Sequence, residues 1–399
     1  MLARMKISFR AKMLLVVVPI VLGLAGMELG LRWLCTRDAD GNVWFRSTHL
    51  KPYRVTALGA AKVLKRYGAD SRSGLIYDAE LGWAQRPSAA EHNSGGFISS
   101  APEVAVERTP GRLRIAVFGG SFTQGNFRHG WWRKLEWELR AEGIDAEVLN
   151  FGVAGYGMDQ AFLHWRRNGV PYRPDIVVFG FCAANCYDNG NLVRMLQNGE
   201  TGIPFTKPRY LLEGEKLRLI NTPTPPPEAL PALYARLTEW PPLAHDRFYH
   251  AEDYRMKPWH HSRLLSLIEA KREIFRARAV ETEFYRPDGE ASLLAERIVD
   301  EFAADVKAAG SRFYVLHLPS TPDLERFRET GQFAYAGLYD AIRRKHKVIA
   351  TEQALLEETH GRPLRELFRF GHYTEPFDVA ITRLLVEELR PEIGAPVGK

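Results

Sequence analysis

The sequence predicts an α/β fold, a parallel sheet with helices on both faces, behind a single membrane-spanning helix. Three observations carry that prediction. Short apolar runs recur after residue 110, at Leu113–Gly119, Ala146–Phe151, Asp175–Phe181 and Arg312–Leu318, as strands buried on both faces require. Between them lie segments with apolar residues at offsets of three and four, the spacing of a helix with one buried face. At the N-terminus, four basic residues precede an uncharged run, Met13–Met27.

That run, MLLVVVPIVLGLAGM, follows Arg4, Lys6, Arg10 and Lys12. It is shorter than the roughly 20 apolar residues of a full span, but Leu29, Leu31, Trp33 and Leu34 extend it to about 22 positions. Glu28 and Arg32 interrupt the extension four residues apart, on one helical face where they can pair. Trp33 is a residue type favoured at headgroup depth. We therefore read residues 13–34 as an uncleaved transmembrane anchor and 1–12 as a cytoplasmic basic segment, with the body of the chain exported. Cleavage after Ala25, where Gly23 and Ala25 are both small, is the alternative. Leu34 is too large to precede a lipoprotein cysteine, which makes Cys35 an ordinary juxtamembrane thiol.

Beyond the anchor, residues 35–110 show weak periodicity and read as a stalk plus an N-terminal segment packed on the main domain, residues 111–399. Strand Leu113–Gly119 comes first. Helix Gly130–Ala141 follows, with Trp132, Leu135 and Leu139 on its apolar stripe, Trp131 at the edge and Trp137 off it. Strand Ala146–Phe151, helix Met158–Arg167 and strand Asp175–Phe181 come next. Residues 187–261 form an insertion in which NTPTPPP at 221–227, Pro231, Pro241 and Pro242 forbid long regular elements. Insertions near strand ends often cover binding sites. The alternation then resumes with helix Ser292–Ala309, strand Arg312–Leu318, a helical stretch Leu324–Arg344, a fifth strand at Lys347–Ala350 and a closing helix Phe377–Leu389. KREIFRAR at 271–278 reads as a solvated helical face.

Composition narrows the function. Of 399 residues 45% are hydrophobic and 26% charged, values of folded soluble domains that argue against disorder and a multi-span membrane protein. The net charge of +6 includes no long basic run outside the N-terminus, so nucleic acid is not an expected partner. Cys35, Cys182 and Cys186 offer neither a disulfide framework nor a CxxC pair, and the last two read as buried apolar groups. His245, His250, His260 and His261 lack metal-site spacing, so no metal is expected.

The chemistry concentrates where strands end, because in open parallel sheets ligands bind beyond the carboxyl ends of the strands. Four segments should meet there. In VFGGSFTQG, at 117–125, a strand enters two glycines and then Ser121, a turn that can expose the hydroxyl at the mouth of a helix. GxSxG is absent, so this is not the nucleophile elbow of the larger hydrolase superfamily. In VLNFGVAGYGMDQ, at 148–160, glycines 152, 155 and 157 follow a strand. Their GxxGxG order reverses a dinucleotide fingerprint, and no cofactor is expected. The third segment, DIVVFGFCAANCYDN at 175–189, ends in Asn185, Asp188 and Asn189. The fourth, FGHYTE at 370–375, places His372 just before the last helix.

These four segments, in this order, resemble the SGNH or GDSL hydrolase superfamily over roughly Arg112 to Glu388. The upstream YDAELGW and the Gly96-Phe97 turn resemble its membrane-anchored bacterial branch. The resemblance implies a three-layer, flavodoxin-like α/β/α fold on a single-pass inner-membrane anchor, with the C-terminal domain periplasmic or extracellular. It assigns the nucleophile to Ser121, with Gly120 where the family usually has aspartate. Oxyanion donors fall on Gly155, Asn185 and the Ser121 N–H, and the base on His372. The family's acidic triad member, two or three positions before the histidine, is replaced by Phe370 or Arg369. Glu366, Glu375, Asp378 or a backbone carbonyl is then left to orient the ring. The implied activity is an ester hydrolase acting through an acyl-enzyme, on O-acyl groups of a polysaccharide or envelope glycan. An O-acyltransferase and a catalytically degenerate binding protein are the alternatives.

Overall fold

The protein is described by a computed structural model over residues 8–38, 41–54, 64–67, 73–88, 92–126, 128–197, 202–279 and 284–393. Five parallel strands form its central sheet: β1 (Leu113–Gly119), β2 (Ala146–Asn150), β3 (Ile176–Phe181), β4 (Arg312–His317) and β5 (Val348–Ile349). Their order is β2-β1-β3-β4-β5, the flavodoxin-like arrangement. Val117 pairs with Asn150 on one side and Val178 on the other, which brings three strand ends to one rim.

The principal helices are α1 (Phe9–Leu34), α2 (Trp131–Ala141), α3 (Met158–His164), α4 (Arg263–Ala279), α5 (Glu290–Ala308) and α6 (Glu375–Leu389). Side chains alternate across a strand, and β1 shows the result. Ala116 and Phe118 join Phe162, Trp165 and Phe302 in one core, beneath α3 and α5. Ile115 and Val117 join Trp132, Leu135, Phe377 and Ile381 in another, beneath α2 and α6. The expected three layers are present, and Trp132 is buried while Trp137 stays exposed.

Local differences from the sequence reading have physical causes. The helix expected over Met158–Arg167 is regular only to His164 and then widens into a π-type turn, Trp165–Gly169. Gly169 presses so closely on Phe118 that an added Cβ would lie 2.5 Å from its ring. The stretch Leu324–Arg344 divides into Thr321–Thr330 and Ala336–Lys345, because Gly331 at φ +70° caps the first piece in the left-handed region.

The segment expected as a stalk carries structure of its own. Thr36–Arg37, Val43–Phe45 and Thr48–Leu50 form an antiparallel sheet. It is fastened to α4 and its surroundings by Lys51, which reaches Asp253 at 2.6 Å and also pairs with Glu273. Helix α1 contains a 22-residue stretch, Met13–Leu34, long and apolar enough to cross a membrane, and none of its most apolar window is buried. Glu28 pairs with Arg32 at 2.7 Å. Its carboxylate also accepts hydrogen bonds from the Ser262 hydroxyl (2.8 Å) and the N–H groups of Arg263 (3.0 Å) and Leu264 (2.9 Å). An acidic side chain of α1 thus caps the N-terminus of α4.

Candidate active site

The first segment turns as its glycines dictate. A Cβ on Gly119 would lie 2.1 Å from the Thr123 hydroxyl and 3.0 Å from the Gly180 carbonyl, so β1 can end against β3 only without a side chain there. A Cβ on Gly120 would lie 2.7 Å from Asn185 Nδ2 and 3.0 Å from the Tyr156 carbonyl oxygen. That one position therefore reports contact among three of the four segments. Ser121 begins the short helix Ser121–Gln124. It is partly exposed, and its hydroxyl has no hydrogen-bond partner among the described residues.

The second segment is braced from outside the sheet. The Trp83 indole N–H donates to the Ala154 carbonyl at 3.0 Å, the Gln85 amide to that of Gly152 at 2.6 Å, and the Tyr156 hydroxyl to that of Trp83 at 2.6 Å. The Asn150 amide donates to the carbonyls of Thr123 and Gln124 and its oxygen accepts the Gly152 N–H at 2.8 Å. The Gly120–Ser121 and Gly152–Gly155 turns are thereby held in one register. Gly155 has φ +79°, and its N–H meets no acceptor among the described residues. A Cβ there would touch Ile203, Trp83 and Arg194 within 3.3–3.6 Å, so the insertion and the YDAELGW hairpin close over it.

Asn185 lies beside Gly120, yet its amide is occupied. Nδ2 donates to the Tyr156 carbonyl at 2.9 Å and to Asp188 at 3.1 Å, using both hydrogens of the group. Asp188 in turn pairs with Arg194 at 2.5 Å and accepts from Gln197 at 2.7 Å. Arg194 and Gln197 went unnoticed in the sequence. Only the acidic neighbour of Asn185 hinted at a cationic partner inside the insertion.

His372 belongs to a hairpin in which Phe368–Arg369 pair with His372–Tyr373. The turn residues Phe370 and Gly371 have φ +51° and +78°. The imidazole Nδ1 lies 3.0 Å from the Phe370 carbonyl oxygen. A carbonyl only accepts, so in the neutral ring Nδ1 carries the proton and Nε2 the lone pair. The ring stands 5.1 Å from that of Phe122, the neighbour of Ser121. No hydrogen bond joins Ser121 to His372. A cavity of about 460 Å³ opens beside the histidine, lined in part by Asn126, Arg128, Arg369 and Phe370.

Glu366, Glu375 and Asp378 do not hydrogen-bond the ring. Glu375 is held by Lys134 at 2.9 Å, which lowers its pKa. Asp378 accepts the Trp131 N–H at 3.2 Å, and burial pushes its pKa up to about 7. Cys182 and Cys186 are buried, and burial raises both thiols far above their ordinary range, which disfavours a thiolate nucleophile. His317, unremarked in the sequence, is fully buried between Glu352 (2.8 Å) and Tyr335 (2.9 Å) at the end of β4. Among the described residues no cluster of three or more His, Cys, Asp or Glu could hold a metal.

No protein family and no curated protein matches the sequence. Among solved structures, the chain is similar to a catalytic mutant of Axe2, an acetylxylan esterase from Geobacillus stearothermophilus. The identity is 11%, covering 72% of this chain and 96% of that one, with a TM-score of 0.37. It is also similar to the lipase/acylhydrolase from Enterococcus faecalis (12%, 70% and 96%, TM-score 0.36) and to the acetyl xylan esterase AlAXEase (10%, 69% and 100%, TM-score 0.39).

Proposed function

We propose that the chain is a serine ester hydrolase of the SGNH type, tethered to a membrane by α1. The observation that carries this reading is the convergence at one sheet rim of Gly120, Tyr156 and Asn185 within 3.0 Å of a single point, with the His372 hairpin packed on the adjoining Phe122. Ser121 Oγ attacks the ester carbonyl and His372 Nε2 takes its proton. The Phe370 carbonyl fixes the ring tautomer, one of the two tasks of a triad aspartate. It supplies no negative charge to the imidazolium, so turnover is slow relative to a full triad. The unpaired N–H groups of Ser121 and Gly155 receive the oxyanion. Asn185 joins them only by giving up one of its two present acceptors. His372 returns the proton to the leaving alcohol, and water, or a glycan hydroxyl in the acyltransferase variant, then releases the acyl group from Ser121. A membrane tether beside an esterase suits O-acylated polysaccharide or envelope glycan.

Two features favour a second reading, a binding protein on a degenerate site: the amide of Asn185 is fully engaged, and Phe370 or Arg369 takes the acidic position. A single experiment separates the two. The detergent-purified full chain is treated with a fluorophosphonate and assayed on p-nitrophenyl acetate beside Ser121→Ala and His372→Gln. Labelling and turnover that vanish in Ser121→Ala support the hydrolase. Labelling absent from all three supports the binding protein.

A further inference from the structure

Where α1 ends, the chain folds around a second cavity, of about 500 Å³. It lies far in sequence from the serine site and its lining includes Arg32, Arg37, Lys51, Arg54, His261 and Arg263 but no aspartate or glutamate. Two of these cations are already compensated: Arg32 by Glu28 and Lys51 by Asp253 and Glu273. The guanidinium groups of Arg37, Arg54 and Arg263 have no acidic partner among the described residues. Three guanidinium groups gathered in one concave site repel each other unless an anion is bound, and guanidinium is the group whose fork matches phosphate oxygens.

The position of the cavity identifies the anion. Arg32 and Cys35 belong to the last turn of α1 and the residue after it, so the cavity opens at the depth where an apolar span meets headgroups. Around this end of the molecule several large apolar side chains are exposed among the charged ones. Trp33, Leu34 and, across the cavity, Met256 are all more than half exposed, and Trp259, Leu265 and Ile268 are each more than 40% exposed. Aromatic and aliphatic side chains beside arginines form the composition of a surface resting in a bilayer interface. The Glu28 cap on α4 holds the two walls of the cavity together.

We infer that this cavity binds the phosphate of an anionic membrane phospholipid through Arg37, Arg54 and Arg263. The inference rests on α1 spanning a membrane and is independent of the serine chemistry. The full chain is reconstituted into nanodiscs of phosphatidylglycerol mixed with phosphatidylcholine, and the lipids kept after gentle delipidation are counted by native mass spectrometry. Wild type retains phosphatidylglycerol preferentially. Arg37→Ser, at an exposed residue whose loss leaves the fold intact, weakens retention about fivefold, the worth of one basic residue near an anionic surface. The triple variant with Arg54→Ser and Arg263→Ser abolishes the preference. Equal retention of both lipids, or a preference unchanged in Arg37→Ser, overturns the site. Displacement of the bound lipid by inorganic phosphate at equal concentration identifies a soluble-anion site and overturns the lipid assignment. Failure of the chain to enter discs at all overturns the membrane span, and the lipid assignment with it.

Discussion

Under the proposed reading Phe370 is one of the two residues, with Arg369, at the triad's acidic position, and its backbone is strained. It sits at φ +51° and is 91% exposed, so its ring gains little from burial while its backbone bears the left-handed penalty of about 1 kcal/mol. Aspartate and asparagine tolerate that conformation best among non-glycine residues. Phe370→Asp therefore relieves strain and places a carboxylate next to an imidazole already bonded to the carbonyl of the same residue. At about 5 Å in a solvent-exposed setting, one charge is worth about 1 kcal/mol to the imidazolium, or a factor of about five in rate. The assay is kcat/KM for p-nitrophenyl acetate at low and high salt, with Phe370→Asn as the control that shares the backbone relief and lacks the charge. The expected result is a gain of about fivefold for Asp at low salt, shrinking as salt rises, with Asn near wild type. Equal gains in both variants, or no gain in either, would refute the role given to His372 and its neighbour.

Three further outcomes are expected. Gly120→Ala pushes a methyl group into Asn185 and Tyr156 and costs about 1–3 kcal/mol, read as a lowered urea midpoint. Gly120→Asp, the residue usual in the family, does worse for the same reason. Asp378 has a folded pKa raised to about 7 from an ordinary 3.8. Between those values the native state holds the extra proton, so its contribution to stability is full below pH 4, falls as pH rises and is gone above about 7. Integrated, the loss is on the order of a few kcal/mol. Chemical denaturation at several pH values should show that slope in the wild type and a flatter one in Asp378→Asn. Lastly, Glu28→Ala removes the cap of α4 at a cost of about 1 kcal/mol, which hydrogen exchange reads as faster exchange at Arg263 and Leu264 with the parallel sheet unaffected.

Legibility in the sequence followed the range of the interactions. The first four parallel strands were readable because burial favours apolar runs such as DIVVFGF, whereas the fifth is a two-residue edge piece, Val348–Ile349. The segments that meet at Gly120 were readable because glycines cluster where backbones must approach, as at Gly119 and Gly120. What escaped was set by distant partners. Helix α4 was recognised only over its basic C-terminal half, since the group that caps its start, Glu28, lies 235 residues earlier than Arg263. The bond of Asn185 to Asp188, which itself pairs with Arg194, depends on an insertion whose prolines obscure periodic signals. The contact of His372 with a main-chain oxygen was one of four options in the sequence, because such a contact has no side-chain signature.

The Glu28 cap has one more consequence, for reach. A catalytic head on a loose leash sweeps a hemisphere, and its encounter rate with a substrate depends on leash length. Under the proposed reading the leash is absent: α1 ends against the body it carries, clamped by three hydrogen bonds to one carboxylate. With α1 in a bilayer, the serine rim is held at a set height and angle above the lipid. Under the proposed function an O-acylated substrate meets the serine at that height, which makes the anchor part of the aim as well as the address.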